Sequence, residues 1–494
     1  MEASYFLIGI KGTGMSSLAL LLKRRGAYVW GCDSNEVFQT DSVLEKSGIT
    51  VVAGFDSSHL DRLDEAACII YSTAFGRKPI VSEAKKRGFR IYSYIDFLAD
   101  LTKTCQSYGV AGTHGKTTST AATCWALSQG NRSNFPFFAL FGSFLQHGSD
   151  GPIYQGSEDF LLECCEYEDH FLSYRLRGAL LTNVEWDHPD YFDDYEATVR
   201  SFETFACKLE QGGFLLYCHD DSGAKKVAEY TRLRRPDLRV ISYGFDDPGP
   251  FGISIDRLQG GYRLPVTGLT SFSFPVWGKD FVRDLVGAAV FATCILLDRP
   301  NPSLYLDKDA LVVDEALVTV LATSLKLLSS FPGTEGRCQI MAEDGGVTFV
   351  DDYAHHPTEI QSTIASLRSR WPNRHLLVIF APHTSSRTRQ FFKQFVTALD
   401  RADKVIVQDT FASAREDLTD VNYSELLAEE IEKSGFRSRK NLCGACIYVP
   451  GNDEKVAQVA AGWLQEGDVC ITMGAGNNHW LYRRIIERRN AIRK

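Results

Sequence analysis

Cys105-Gln106-Ser107-Tyr108-Gly109-Val110-Ala111-Gly112-Thr113-His114-Gly115-Lys116-Thr117-Thr118 runs from an apolar stretch through a glycine-rich turn into an alanine-rich segment. The stretch before the glycines reads as a strand and the segment after them as a helix. A loop between two such elements aims backbone N–H groups and the positive end of the helix at whatever lies in front of it, an arrangement suited to phosphate. Lys116 has the reach for β- and γ-phosphates, and Thr117 stands where a hydroxyl ligates Mg²⁺ in phosphate loops. The strict G-x-x-x-x-G-K-[ST] pattern wants glycine where Val110 stands, so the context of strand before and helix after carries the reading.

Toward the N-terminus, residues 5–10 read as a short strand, 16–25 as an apolar-periodic helix and 28–32 as a second strand ending at Asp33. The turn between the first two holds Gly9, Gly12, Thr13 and Gly14. Its spacing is G-x-x-G-x-G, not the G-x-G-x-x-G of a dinucleotide fingerprint, which argues against NAD. A different nucleotide diphosphate fits the helix start, with Asp33 placed where such folds set an acid against a ribose. Further strands at 49–52, 68–71 and 90–92 make the first region a doubly wound α/β domain.

Downstream of the phosphate loop, strands are expected at 160–163, 178–183 and 213–217, with an alanine-rich helix over 285–297. Glu163 then stands at the C-terminal edge of a strand, where open α/β sheets bind ligands, and His188 is read into the same position on the next strand. Mg²⁺ prefers oxygen ligands, which suits Thr117 and Glu163 better than a histidine. A third α/β region opens at Phe331-Pro332-Gly333, with strands at 348–351, 376–380, 404–408 and 468–472. Asp351-Asp352-Tyr353-Ala354-His355-His356-Pro357 ends the first of these, a cluster too polar for a core. His383, Arg387 and Arg389 follow the second, where an arginine can hold a carboxylate bidentately. A solvated basic loop is the alternative for both arginines. The expected domains are residues 1–103, 104–326 and 327–494.

A length of 494 residues agrees with about three domains. The net charge of −9, without a basic stripe, argues against nucleic acid, so an anionic substrate must be held by a few local groups. Thirteen cysteines without framework spacing, and a first segment lacking a basic start, point to reduced thiols in the cytoplasm. Cys443-Gly444-Ala445-Cys446 has no second pair at zinc spacing and reads as ordinary thiols. No apolar run reaches the roughly 18 residues of a membrane span, so no membrane insertion is expected.

Taken together, Gly9 to Ser16, Gly112 to Thr118, Glu163 to Leu172, Thr182 to His188 and Asp351 to Pro357 resemble, in order and across all three regions, the Mur ligase family in its alanine-adding branch. The resemblance implies an N-terminal Rossmann-like UDP-binding domain, a central P-loop ATPase α/β domain and a C-terminal Rossmann-like domain that closes over ATP and the amino acid. It implies an ATP-dependent ligase joining L-alanine to the lactyl carboxylate of UDP-N-acetylmuramate through an acyl phosphate, in peptidoglycan precursor synthesis, as a monomer or homodimer. ATP and Mg²⁺ at two sites are the implied cofactors. Lys116 becomes the γ-phosphate clamp, Thr117 and Glu163 ligands of one Mg²⁺, and His188 a ligand of the second. Gly112, Thr113, His114, Gly115, Thr118, Arg337 and Asp352 contact ATP, Asp352 at the ribose. Tyr353, His355, His383 and Arg387 line the amino-acid site, with Lys116, His188, His355 and Arg387 as catalytic residues. Gly9, Gly12, Thr13, Gly14, Asp33, Ser72 and Thr73 take the UDP-sugar.

The chain departs from the family at Asp280, Phe281 and Asp284, where a His-Asn pair and a further Asn are usual, at Gly336, which leaves Arg337 alone of a basic pair, and at Ala381 in place of a glutamine. Rival readings are a ligase that recycles murein tripeptide onto the same UDP-sugar, a nucleotide-binding regulator without catalysis and a NAD-dependent oxidoreductase. Gly12-Thr13-Gly14-Met15-Ser16 favours the alanine enzyme over the first. Lys116, Glu163 and His188 argue against the second, and the glycine spacing against the third.

Overall fold

The computed structural model describes residues 3–129, 135–146, 155–256, 261–268, 271–275, 278–298, 315–411, 421–434, 445–451, 453–474 and 477–493. Three sheets organise them. In the first, Thr50–Ala53, Tyr28–Asp33, Ser4–Ile8, Cys68–Tyr71 and Arg90–Ser93 lie side by side in that order, all parallel. The second runs Arg239–Tyr243, Phe214–Cys218, Gly178–Leu181, Gln106–Ala111, Asp159–Glu163, Phe137–Leu140, again parallel. In each, strand order reverses at the strand that feeds a glycine loop, Ser4–Ile8 in one and Gln106–Ala111 in the other. Both loops therefore sit at topological switch points, where the crevice of an open α/β sheet forms.

The third sheet runs Gln339–Asp344, Val347–Asp352, Val469–Gly474, Leu376–Ala381, Lys404–Val407, Ala445–Tyr448. Its first strand pairs antiparallel to the second, and the rest are parallel. Strands such as Val347–Asp352 and Leu376–Ala381 are buried at every position because helices cover both faces of a parallel sheet. Their near-continuous apolar runs made them readable from sequence. Strands Phe137–Leu140, Arg239–Tyr243, Gln339–Asp344 and Ala445–Tyr448 went unread, all four of them at sheet edges.

Helix Thr13–Arg24 starts three residues earlier than its apolar period suggests, because Gly12 serves as its N-cap and the glycine turn itself winds into the first turn. Helix Lys116–Ser128 is buried from Thr117 through Cys124, so small side chains let it lie close against the sheet. Lys279–Asp298 contains the alanine-rich run. Among the described residues no helix is long and apolar enough to cross a membrane. Cys443 and Gly444 of the paired thiols lie outside the described residues, and Cys446 is buried.

By packing, the chain forms two compact units: residues 1–186, 194–275 and 281–334, and residues 187–193, 276–280 and 335–494. The first two sheets share a unit because Leu18, Leu22 and Phe97 of the N-terminal region join one core with Phe138, Phe160 and Leu162 of the central sheet. Burying each such side chain contributes about 1.5–3 kcal/mol. Arg25 lies 4.8 Å over the Phe138 ring and Ser17 Oγ donates to the Phe141 carbonyl at 3.4 Å. The break before the third region falls after Thr334, eight residues past the expected 326.

Candidate active site

In the first unit the phosphate loop is held open by its neighbours. Gly112 (φ 142°) and Gly115 (φ 79°) adopt backbone conformations that favour glycine. A Cβ on Gly112 would stand 2.0 Å from Thr182 Oγ1. His114 N donates to Asn183 Oδ1 at 2.8 Å, and Thr113 Oγ1 bridges Glu185 by donating to its carbonyl (3.1 Å) and accepting from its N–H (2.9 Å). Thr118 is buried in the first turn of the helix.

Lys116 curls over this loop. Its Nζ donates to the carbonyls of Gly112 (2.6 Å) and Thr113 (3.0 Å) and pairs with Glu166 at 2.9 Å. Burial works against the ammonium charge, but the Glu166 carboxylate outweighs it and holds the pKa above that of an ordinary lysine. Thr117 Oγ1 stands 3.0 Å from both oxygens of Glu163, and Glu163 Oε2 also accepts from Gly142 N at 2.8 Å. A hydroxyl and a carboxylate brought together beside a phosphate loop are the hard oxygen donors that Mg²⁺ takes. Sequence reasoning missed Glu166, although its spacing of three from Glu163 was visible.

Asp284 also lies here, with one carboxylate oxygen 2.6 Å from where a Gly115 Cβ would be. It is 8% exposed. A carboxylate against the loop opposes an incoming phosphate, so Asp284→Asn should tighten nucleotide binding by about 1 kcal/mol, or lower KM for ATP about fivefold. An unchanged KM would show that the Asp284 charge is neutralised locally.

The N-terminal loop is built around Gly9 (φ 82°), whose added Cβ would meet the Phe75 ring at 2.4 Å and Ser72 Cβ at 3.0 Å. Gly12, Thr13 and Gly14 form the helix start, and Ser72 caps the short helix Thr73–Phe75 beside it. Asp33 is turned inward, accepting from Lys11 N and Ser34 N, both at 2.7 Å. At 2% exposed it holds the loop together, where the expectation set it against a ribose.

In the second unit the strand Val347–Asp352 delivers its terminal acids into a tight turn. Asp352 accepts from Cys338 N (2.9 Å), Ala354 N (2.7 Å) and Thr363 Oγ1 (3.1 Å), so its carboxylate organises the turn and is only 3% exposed, in place of the open ribose contact expected. Arg337 lies 5.3 Å over the Tyr353 ring. His355 Nδ1 is 3.0 Å from the Tyr353 carbonyl, and its ring stands edge-on to His383 at 5.6 Å. Asp280, one of the departures, accepts from Ser362 Oγ at 2.6 Å.

Arg387 is not on a solvated loop. It sits in helix Ser385–Gln390 at 3% exposure and does hold a carboxylate bidentately, but one of the chain's own: Nε and Nη2 donate to Asp187 at 2.9 and 3.1 Å. Arg389 lies on the exposed side of the same helix. His188, next to Asp187, has φ 53°, and its N–H donates to Asp187 Oδ1 at 2.6 Å. The preceding strand ends at Leu181, not at 183, so His188 comes seven residues after it on a loop.

Two groups of this region titrate in opposite senses. Burial pushes His355 down to about 3 and Asp351 up to about 7, the neighbouring Arg387 and Asp352 charges adding to each. Between roughly pH 4 and 6.5 the unfolded chain carries a proton on His355 that the folded chain lacks, and the folded chain carries one on Asp351 that the unfolded chain lacks. The two slopes cancel. Asp351→Asn removes only the second, so its stability should fall, relative to the parent protein, by up to about 1.4 kcal/mol for each unit of pH lost in that window. Urea unfolding across the window checks this, and parallel profiles for the two proteins would refute it.

Three family models match in succession: the Mur ligase family catalytic domain at residues 5–105, the Mur ligase middle domain at 110–292 and the Mur ligase glutamate ligase domain at 336–476. The UDP-N-acetylmuramate–L-alanine ligase of Treponema pallidum (strain Nichols) is 33% identical over 479 residues, spanning 96% of this chain and 94% of its own. The ligase of the same name from Desulfitobacterium hafniense (strain Y51) is 33% identical over 485 residues, spanning 97% and 98%. Among solved structures, the UDP-N-acetylmuramate-alanine ligase of Thermotoga maritima shares the fold, with a TM-score of 0.73 at 20% identity over 99% of both chains. A murein peptide ligase from Psychrobacter arcticus also shares it, at 0.66 and 19% identity over 98% of both. This chain belongs to the Mur ligase family.

Proposed function

We propose that this chain joins L-alanine to the lactyl carboxylate of UDP-N-acetylmuramate at the expense of ATP, in cytoplasmic peptidoglycan precursor synthesis. The observation that carries the reading is the phosphate loop at a switch point, with Lys116 folded over it and Thr117 and Glu163 converging beside it. Full-length similarity to ligases of that name supplies the substrates.

Attack of the lactyl carboxylate on the γ-phosphorus forms an acyl phosphate and releases ADP, and the alanine amine then displaces phosphate to form the amide. Phosphoryl transfer asks for positioning and charge neutralisation more than for a covalent nucleophile. Lys116 meets the γ-phosphate oxygens, while the N–H groups from Gly112 to Thr118 and the helix end behind them hold the rest of the chain of phosphates. Thr117 and Glu163 would hold one Mg²⁺, with His188 among the ligands of a second, and these ions would supply Lewis-acid stabilisation of the phosphoryl oxygens. Gly9, Gly12, Thr13, Gly14, Ser72 and Thr73 hold the UDP-sugar diphosphate, with Asp33 shaping the loop. Arg337 serves the nucleotide, with Asp352 shaping the turn beside it, and Tyr353, His355, His383 and Arg387 form the amino-acid site.

The test is mass spectrometry of the protein incubated with UDP-N-acetylmuramate, ATP, Mg²⁺ and a mixture of L-alanine, glycine, L-serine and murein tripeptide. The alanyl product with matching ADP is expected. Tripeptide product would move the chain to the recycling reaction, and folded protein without any product would refute ligase activity.

A further inference from the structure

The Arg387 guanidinium is already engaged. Its Nε and Nη2 edge is filled by both oxygens of Asp187, and Nη1 lies 2.9 Å from His383 Nδ1. Asp187 and Arg387 are 5% and 3% exposed. A buried, hydrogen-bonded charge pair does not exchange readily for a ligand, since separating it leaves a charge without water or partner. A guanidinium is always charged and can only donate, so the His383 nitrogen facing it must present a lone pair. The proton of the neutral ring then sits on Nε2.

We infer that Asp187 is a positioning residue of the amino-acid site: it occupies the Arg387 fork and makes Arg387 a fixed cation that holds His383 as its neutral Nε2–H tautomer, a donor for the substrate carboxylate. This rests on the amino-acid site proposed above. It replaces a bidentate arginine clamp on the substrate by one N–H donor in the field of a neighbouring cation. The surroundings agree. His355 donates Nδ1–H to the Tyr353 carbonyl and packs edge-on against His383, while burial first and then the Arg387 charge disfavour a charge on His355. Glu359, whose carboxylate accepts from the backbone N–H groups of His355 and His356, is a further acid of this cluster.

The experiment is ¹⁵N-histidine NMR of the full chain, with steady-state kinetics of Asp187→Asn and of the doubly neutral variant Asp187→Asn with Arg387→Gln, which leaves no buried charge uncompensated. In the parent protein His383 should show an unprotonated Nδ1 and a protonated Nε2 across roughly pH 6 to 8. In both variants the signal should move toward a mixture of tautomers, and KM for L-alanine should rise about tenfold or more while KM for UDP-N-acetylmuramate stays within about twofold. A parent His383 protonated on Nδ1, or an unchanged signal in both variants, overturns the positioning role. Loss of the tautomer without any change in KM for L-alanine leaves the positioning intact and overturns the amino-acid site on which it was placed.

Discussion

Lys116→Ala is expected to lower turnover by about 10³-fold or more, because catalysis of phosphoryl transfer is mostly electrostatic and the variant removes the ammonium folded over the loop. The folded chain shows what else changes. Glu166 is 2% exposed and pairs with Lys116 at 2.9 Å, so the variant leaves a buried carboxylate without its cation. Stability should then fall modestly, and the loop should keep its shape through the Asn183 and Glu185 bonds. UDP-sugar binding should be unchanged, since Gly9, Gly12 and Ser72 belong to the other sheet. Phosphate release with saturating substrates, together with calorimetric titration of the UDP-sugar, checks both halves. A variant retaining even a tenth of the parent turnover would remove Lys116 from the phosphoryl-transfer step.

Asp298→Ala carries the largest expected effect on stability. Asp298 ends the helix Lys279–Asp298, where the helix dipole disfavours an acid, yet its side chain is fully buried. Two guanidiniums compensate: Arg177 donates at 2.8 and 3.2 Å and Arg239 at 2.6 Å. Truncation leaves both of these cations partly buried against each other, a change that costs about 3–5 kcal/mol. Against a typical total of about 5–15 kcal/mol this is a large fraction, and a fall in melting temperature of roughly 10 °C is expected. Arg239 lies at the start of its strand and Gln106, also near Asp298, at the start of the strand that feeds the phosphate loop. The cluster therefore lies at the sheet edge opposite that loop. KM values measured well below the melting temperature should be those of the parent. A melting temperature within a degree or two of the parent would mean that water reaches the arginines and replaces the carboxylate.

The glycine loops and the strands that feed them were legible because the information is local. An apolar run, a glycine where the backbone must turn left-handed and a helix-forming segment lie within about fifteen residues of one another, and the physics of each acts at that range. Lys116 and Thr117 open the helix after one such loop and Gly12 caps the helix after the other, as these local signals predict. Arg387 was recognised as an arginine able to hold a carboxylate, but which carboxylate could not be read, since Asp187 is 200 residues away. The inward turn of Asp33 and the full engagement of Asp352 were hidden for a similar reason, because an acid at a strand end looks the same whether it faces a ligand or its own loop.

By itself the amino-acid sequence determined the strand-loop-helix units, their repetition in three α/β regions and the family motifs, all products of periodicity and backbone chemistry over short spans. The tertiary structure alone decided which charges meet: Glu166 with Lys116, Asp298 with Arg177 and Arg239, and Asp187 with Arg387. A buried charge must find its partner wherever the packed strands and helices bring one within about 3 Å, and that distance is set by the fold of the whole chain, not by separation along it.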